Sequence, residues 1–248
     1  MRVGIEELLP RRSLAACALV ALLSLTLRGN NGDGAASIGP PPRDKPSGTI
    51  LAEVESRLKL VKPSSSGVPS QEFLRASYAI INIFDAIPGM GMVKSDMIGN
   101  ADKIWRHQKK GEPKSLEQMC DAELMVVSAD KARNIDGSVC TSLLWLKRAL
   151  RLIEGILLEL VKDSLKPMKE CCQAAYSRSL KSHHNMVMRS TFSVASNAAP
   201  ARGVVLMKLA GPKSIEANTL GTIGKLLPTF TKLLDRIEKY LVASRLER

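Results

Sequence analysis

A Leu-rich stretch over residues 138–162 constrains the fold of this chain more than any other feature. It keeps helical periodicity throughout and is far longer than an ordinary strand. A helix so apolar must be covered by other elements. From about residue 48 onward the remaining sequence reads in the same way. Residues 50–61 are apolar at mixed three and four spacing, and Ser64-Ser65-Ser66-Gly67 breaks the pattern. Pro69 and Ser70 open a second helix, with Ser70 as its N-cap, carrying Phe73, Leu74, Ala76, Ile80, Ile81 and Phe84. Residues 88–91 interrupt it, and a third helix is expected over 92–108. Beyond a basic loop at 109–113, Ser115 caps a helix that reaches about residue 132, and 134–137 reads as a turn. Residues 168–198 read as one long helix stopped by Pro200. Two further segments lie near 204–209 and 215–242, with Pro228 as a break or helix start. No run alternates convincingly enough for a sheet, so the expected fold class is all-α.

Composition agrees with a helical core. Hydrophobic residues make up 45% of the 248 and aromatics only 4%, so the interior must be mostly Leu, Ile, Val, Ala and Met. That hydrophobic share excludes wholesale disorder. The formal net charge is +12, of which +10 falls after residue 46. Such a surface favours polyanions, either nucleic acid or an anionic membrane face. The basic cluster over 106–114 lacks interleaved aromatics and matches no nucleic-acid motif, so peripheral membrane contact is expected and no nucleic acid.

The N-terminal region stands apart. Arg11 and Arg12 precede an apolar run over 13–27, closed by Arg28. The run is short of the ~20 residues needed to span a bilayer. It fits the apolar core of a signal peptide, although no small-x-small cleavage site follows directly. A membrane anchor and an interfacial helix remain alternatives. The expected organisation is a hydrophobic targeting or anchor segment at 1–28, a flexible Gly-, Pro- and Ser-rich linker at 29–47, and one globular domain at 48–248. Cys17, Cys120, Cys140, Cys171 and Cys172 form neither a CxxC pair nor a disulfide framework. As reduced, mostly buried thiols they favour a cytoplasmic, membrane-associated protein. The apolar N-terminus leaves secretory-pathway targeting or anchoring open.

Catalytic signatures are scarce. The histidines are His107, His183 and His184, and the adjacent pair would diverge by roughly 100° on a helix. There is no HExxH, P-loop, GxSxG or dinucleotide-binding glycine pattern. No metal site, cofactor or enzymatic activity is expected. Asp96, Asn100 and Lys103, at i, i+4 and i+7, share one helix face and offer acceptors, an amide and a cationic donor. That set suits sugar hydroxyls, and it equally suits an ordinary solvated face with a weak ion pair. Trp145 is either core or the floor of a sugar site. His184 is either a satisfied structural histidine or a neutral imidazole that bonds a ligand amide.

Taken in order, VKSDMIGNADKI (residues 93–104), LLWLKRALRLI (143–153) and AYSRSLKSHHNMVMRSTF (175–192) resemble the glycolipid transfer protein family. SGVPSQEFLRAS (66–77) resembles an early helix entry of that family more loosely. The resemblance runs from about residue 48 onward, some four-fifths of the chain. It implies a two-layer helical sandwich enclosing one lipid, acting as a monomer. It implies that Asp96 bonds the ceramide amide N–H and a sugar hydroxyl. Asn100 and Lys103 would bond further hydroxyls, Trp145 would stack under the first sugar, and His184 would bond the amide carbonyl. The implied function is non-enzymatic sphingolipid binding and intermembrane transfer. Phosphate-selecting relatives place extra cations where sugar-binding members have Asn and Trp. Asn100 and Trp145 therefore favour a glycosphingolipid ligand over ceramide-1-phosphate, with Arg148 and Arg151 arguing the other way. Sugar-carrying members often place Gly-Trp after the second histidine, where this chain has Asn185-Met186; Met186 and Met188 are expected to fill that space. The alternative function is a membrane-tethered sphingolipid sensor or scaffold that binds without shuttling.

Overall fold

The structure is a computed structural model that describes residues 48–108 and 114–247. The expectations placed on 1–28, 29–47 and the basic loop at 109–113 lie outside those residues. The described residues fold as an all-α, two-layer helical sandwich. Its helices are α1 (Ile50–Leu60), α2 (Ser70–Ile81), α3 (Gly91–Arg106), α4 (Leu116–Leu124), α5 (Ala129–Ala132), α6 (Val139–Lys162), α7 (Met168–Arg178), α8 (Met186–Asn197), α9 (Arg202–Ala210) and α10 (Glu216–Ala243). Two 3-10 turns, Asn82–Ala86 and Lys181–His183, join neighbouring helices. Among the described residues the only extended pairings are the isolated bridges Ser64–Gly67 and Pro69–Ser115.

α6 is the central element, as its sequence requires. It packs against α7, α10 and α3, with α2 and α4 at its flanks. Its leucines and isoleucines at 143, 144, 146, 150, 152, 153, 156, 157 and 160 are all buried. Ser138 starts it by accepting a hydrogen bond from the Thr141 backbone N–H. α1 closes the assembly by meeting α2, α9 and α10. α6 approaches α7 closely at Gly155, where an added Cβ would lie 2.9 Å from the Ala175 Cβ. Cys120, Cys140, Cys171 and Cys172 are free and buried. No described helix is long and apolar enough to cross a membrane.

Five local expectations are corrected. Ser70 does not cap α2; its hydroxyl donates to the Lys114 carbonyl at 2.6 Å, and Pro69 occupies the N-cap position. α2 ends at Ile81, so Phe84 lies in a 3-10 turn rather than in the same helix. The helix that Ser115 begins, with a full capping box to Gln118, ends at Leu124 and resumes only briefly as α5. The single helix expected over 168–198 is split into α7, a 3-10 turn and α8. Asn185 restarts the helix by accepting from the Met188 N–H. Pro228 neither breaks nor starts a helix but lies within α10. It is exposed, and the carbonyl its ring deprives of a partner belongs to Gly224, which has open space around it.

Candidate functional site

Two groups of side chains stand on neighbouring helices. The first is on α3. Asn100, only 8% exposed, donates from Nδ2 to the Asp96 backbone carbonyl at 3.0 Å and to Asp96 Oδ2 at 3.3 Å. The amide therefore orients the carboxylate. Burial pushes the Asp96 pKa up to about 6, against the opposing pull of Lys103. Lys103 shares the face, yet its ammonium donates to Asp136 at 2.7 Å, in the loop ahead of α6. His107 Nε2 contacts the Gly137 carbonyl in the same loop at 3.0 Å.

The second group is built from α6, α7 and the segment before α8. Trp145, half-buried on α6, lies nearly parallel to the His184 ring, with centroids 6.2 Å apart and planes 24° apart. His183 meets the indole edge-on at 6.5 Å. The two histidines are not on a helix, contrary to expectation: His183 closes the 3-10 turn and His184 is extended, with φ −101° and ψ 139°. This break brings both imidazoles to one tryptophan, which a continuous helix would not do.

His184 is 8% exposed, and burial lowers its pKa to about 4, helped by the charges of His183, Arg189 and Arg148. It is therefore neutral near pH 7. Its Nδ1 lies 2.9 Å from the Tyr176 hydroxyl. Burial raises the Tyr176 pKa, so the phenol keeps its proton. In the tautomer in which that phenol donates to Nδ1, the ring proton stands on Nε2. His184 Nε2 is buried and has no hydrogen-bond partner among the described residues. A buried polar atom left without a partner costs about 1–3 kcal/mol. Phe192 stacks on Tyr176 at 3.9 Å and fixes the phenol from behind.

The α3 group offers a carboxylate with an orienting amide, and the group around α6 offers an indole surface and a neutral imidazole. These groups suit hydrogen bonding and stacking. No group of three or more His, Cys, Asp or Glu side chains among the described residues is placed to hold a metal ion. Of the two methionines expected to fill the space after His184, Met188 is buried and Met186 is 85% exposed. Sequence reasoning missed Tyr176 as the partner of His184, because on the single helix expected there i and i+8 would stand about 12 Å apart along the axis. It also missed Asp136, whose only signal was its position in the turn before α6.

The family model described as "Glycolipid transfer protein (GLTP)" matches residues 68–211. The pleckstrin homology domain-containing family A member 8 of Rattus norvegicus is 36% identical over 142 residues, covering 55% of this chain and 26% of that protein. This chain thus spans about a quarter of the length of that relative. A glycolipid transfer protein of Aureobasidium melanogenum is 27% identical over 192 residues, covering 77% of this chain and 92% of its own. Among solved structures, a FAPP2 structure described as selecting simple glycosphingolipids with the GLTP fold superposes with a TM-score of 0.71 at 22% identity. It covers 81% of this chain and 98% of that one. The mouse ceramide-1-phosphate transfer protein superposes with a TM-score of 0.70 at 19% identity, covering 80% and 98%. At such identities the likeness establishes the fold and does not choose between the two headgroups.

Proposed function

The chain belongs to the glycolipid transfer protein family, and from that premise we propose that it binds one sphingolipid and carries it between membranes without chemical change, favouring glycosphingolipid over ceramide-1-phosphate. The observation that carries this reading is the buried, unpartnered Nε2 of His184 beside the Trp145 ring. With the ring proton on Nε2, a ceramide amide carbonyl supplies the missing acceptor. A sugar ring then lies against the indole through its C–H groups. Asp96 accepts from the amide N–H and a sugar hydroxyl, and Asn100 and Lys103 bond further hydroxyls. Lys103 reaches the sugar by leaving or sharing Asp136.

The hydrocarbon chains enter the Leu-rich interior around α6, which parts to admit them. Each CH₂ removed from water is worth about 0.8 kcal/mol, so a dry interior lowers the barrier to leaving a bilayer. Headgroup preference follows from the pairing of the nearby guanidinium groups. Arg151 donates to Glu154 at 2.9 Å and Asp235 at 2.5 Å, and Arg148 pairs with Glu247, so neither guanidinium is free for a phosphate. The domain acts as a monomer with peripheral membrane contact on the cytoplasmic side, and residues 1–28 target or anchor it.

The test is transfer between vesicles over a lipid panel. Galactosyl- and glucosylceramide should move faster than ceramide-1-phosphate. Trp145→Ala and Asp96→Val should each abolish that transfer while helical circular dichroism is unchanged. Unchanged transfer in both variants contradicts the site assignment, and the reverse headgroup order contradicts the preference.

A further inference from the structure

The turn that follows α10 reaches back to the candidate headgroup site. Arg245 adopts φ +59°, the left-handed conformation of a helix C-terminal stop. The backbone N–H groups of Leu246 and Glu247 both donate to the Leu241 carbonyl, at 2.8 and 3.0 Å, and Leu246 is buried. This turn is locked, and it delivers the Glu247 carboxylate to α6 with its side chain only 8% exposed. There Glu247 accepts from Arg148 through both oxygens, in a bidentate fork, and from Lys147 Nζ at 2.7 Å. Lys147, 3% exposed, also donates to Glu238 at 2.6 Å. The guanidinium held in the fork sits 5.0 Å from the centroid of the Trp145 ring. Burial opposes the charged form of Glu247, yet the hydrogen bonds from Arg148 and Lys147 hold its pKa down to about 2. The carboxylate is charged throughout the physiological range.

We propose that Glu247 is a specificity-determining residue: by locking Arg148 in a fork beside Trp145, it withholds that cation from an anionic headgroup and keeps the site selective for neutral sugars. This inference rests on the carrier reading above. Loss of the Glu247 charge leaves Lys147 with Glu238 and frees Arg148 next to the indole. A phosphate headgroup then gains one charge-assisted contact, while the stacking surface for a sugar is unchanged.

The experiment compares wild type with Glu247→Gln, which preserves shape and removes charge. Initial transfer rates of ceramide-1-phosphate and glucosylceramide between neutral vesicles are measured for both. The phosphate-to-sugar ratio should rise about tenfold in the variant, the size of one recovered charge-assisted bond. It should return to the wild-type value when Arg148→Gln is added. A ratio unchanged by Glu247→Gln overturns the proposal. If Glu247→Gln fails to fold by circular dichroism, Glu247→Asp, which withdraws the carboxylate by one methylene, should raise the ratio by a smaller factor. An unchanged ratio there overturns the proposal too. A second readout needs no lipid: iodide quenching of Trp fluorescence should increase in Glu247→Gln while caesium quenching falls, because Trp105 is buried and Trp145 gains a free cation beside it. If wild type moves no lipid, the carrier reading fails, and unchanged iodide quenching then separately overturns the role given to Glu247.

Discussion

Asp96 carries an electrostatic cost in the folded chain. Burial raises its pKa from 3.8 to about 6, so its charged form is disfavoured in the folded chain. The sign follows directly. The penalty is present in full above pH 6 and is relieved as pH falls through that value, because the folded state then binds a proton that the unfolded state does not. Its size is on the order of 3 kcal/mol. Asp96→Asn should therefore raise the melting temperature at pH 7 while it depresses glycolipid transfer, a combination that a purely structural carboxylate would not give; thermal denaturation beside a transfer assay checks both. Wild-type transfer should fall as pH drops through about 6. His184 stays neutral until about pH 4 and so does not contribute to that fall. Tyr176→Phe removes the hydroxyl that holds His184 Nδ1. Transfer should drop several-fold with little change in helicity, and an unaltered rate would contradict a role for that contact in presenting Nε2. Asp96, Asn100, Lys103, Trp145 and His184 were singled out in the sequence, but spacing alone left each open to an ordinary structural reading, and only the family resemblance grouped them as one site. Glu247 was not, because it meets Arg148 across 99 residues and local pattern is silent about such contacts.

The long helix from residue 138 was legible from its periodicity, and the helix after Ser115 was legible at its capped start though not at its end. What sequence missed was interruption without a breaker. Residues 179–185 contain neither Gly nor Pro, so the split between α7 and α8 left no compositional mark. The reverse error came from Pro228, a breaker that an exposed position beside Gly224 tolerates inside α10. The contact of α6 with α7 also bears on function. Gly155 faces Ala175, and the next residue on α7 is Tyr176, which holds His184. Gly155→Val forces the helices apart and should destabilise the fold by about 1–3 kcal/mol. The same displacement should weaken glycolipid binding beyond what lost stability explains, because it moves the phenol away from the imidazole. Denaturant unfolding and lipid binding on the same variant separate the two effects; wild-type stability would show that the helices have slack at this point.

At the scale of the whole molecule, a Leu-rich helix wrapped by others supplies the one property a lipid carrier needs: an interior as dry as a bilayer. A basic surface of +10 outside the first 46 residues suits approach to an anionic membrane, and salt should weaken that approach. Raising ionic strength should therefore slow transfer from vesicles rich in anionic lipid more than from neutral ones. The central claim is that the chain removes a glycosphingolipid from a membrane and holds it. The direct measurement incubates the protein with sucrose-loaded vesicles containing labelled glucosylceramide, sediments the vesicles, and counts label in the supernatant. The account predicts label that rises with protein and saturates at one lipid per chain, and that disappears with Trp145→Ala. Label that stays with the vesicles at every protein concentration would contradict it.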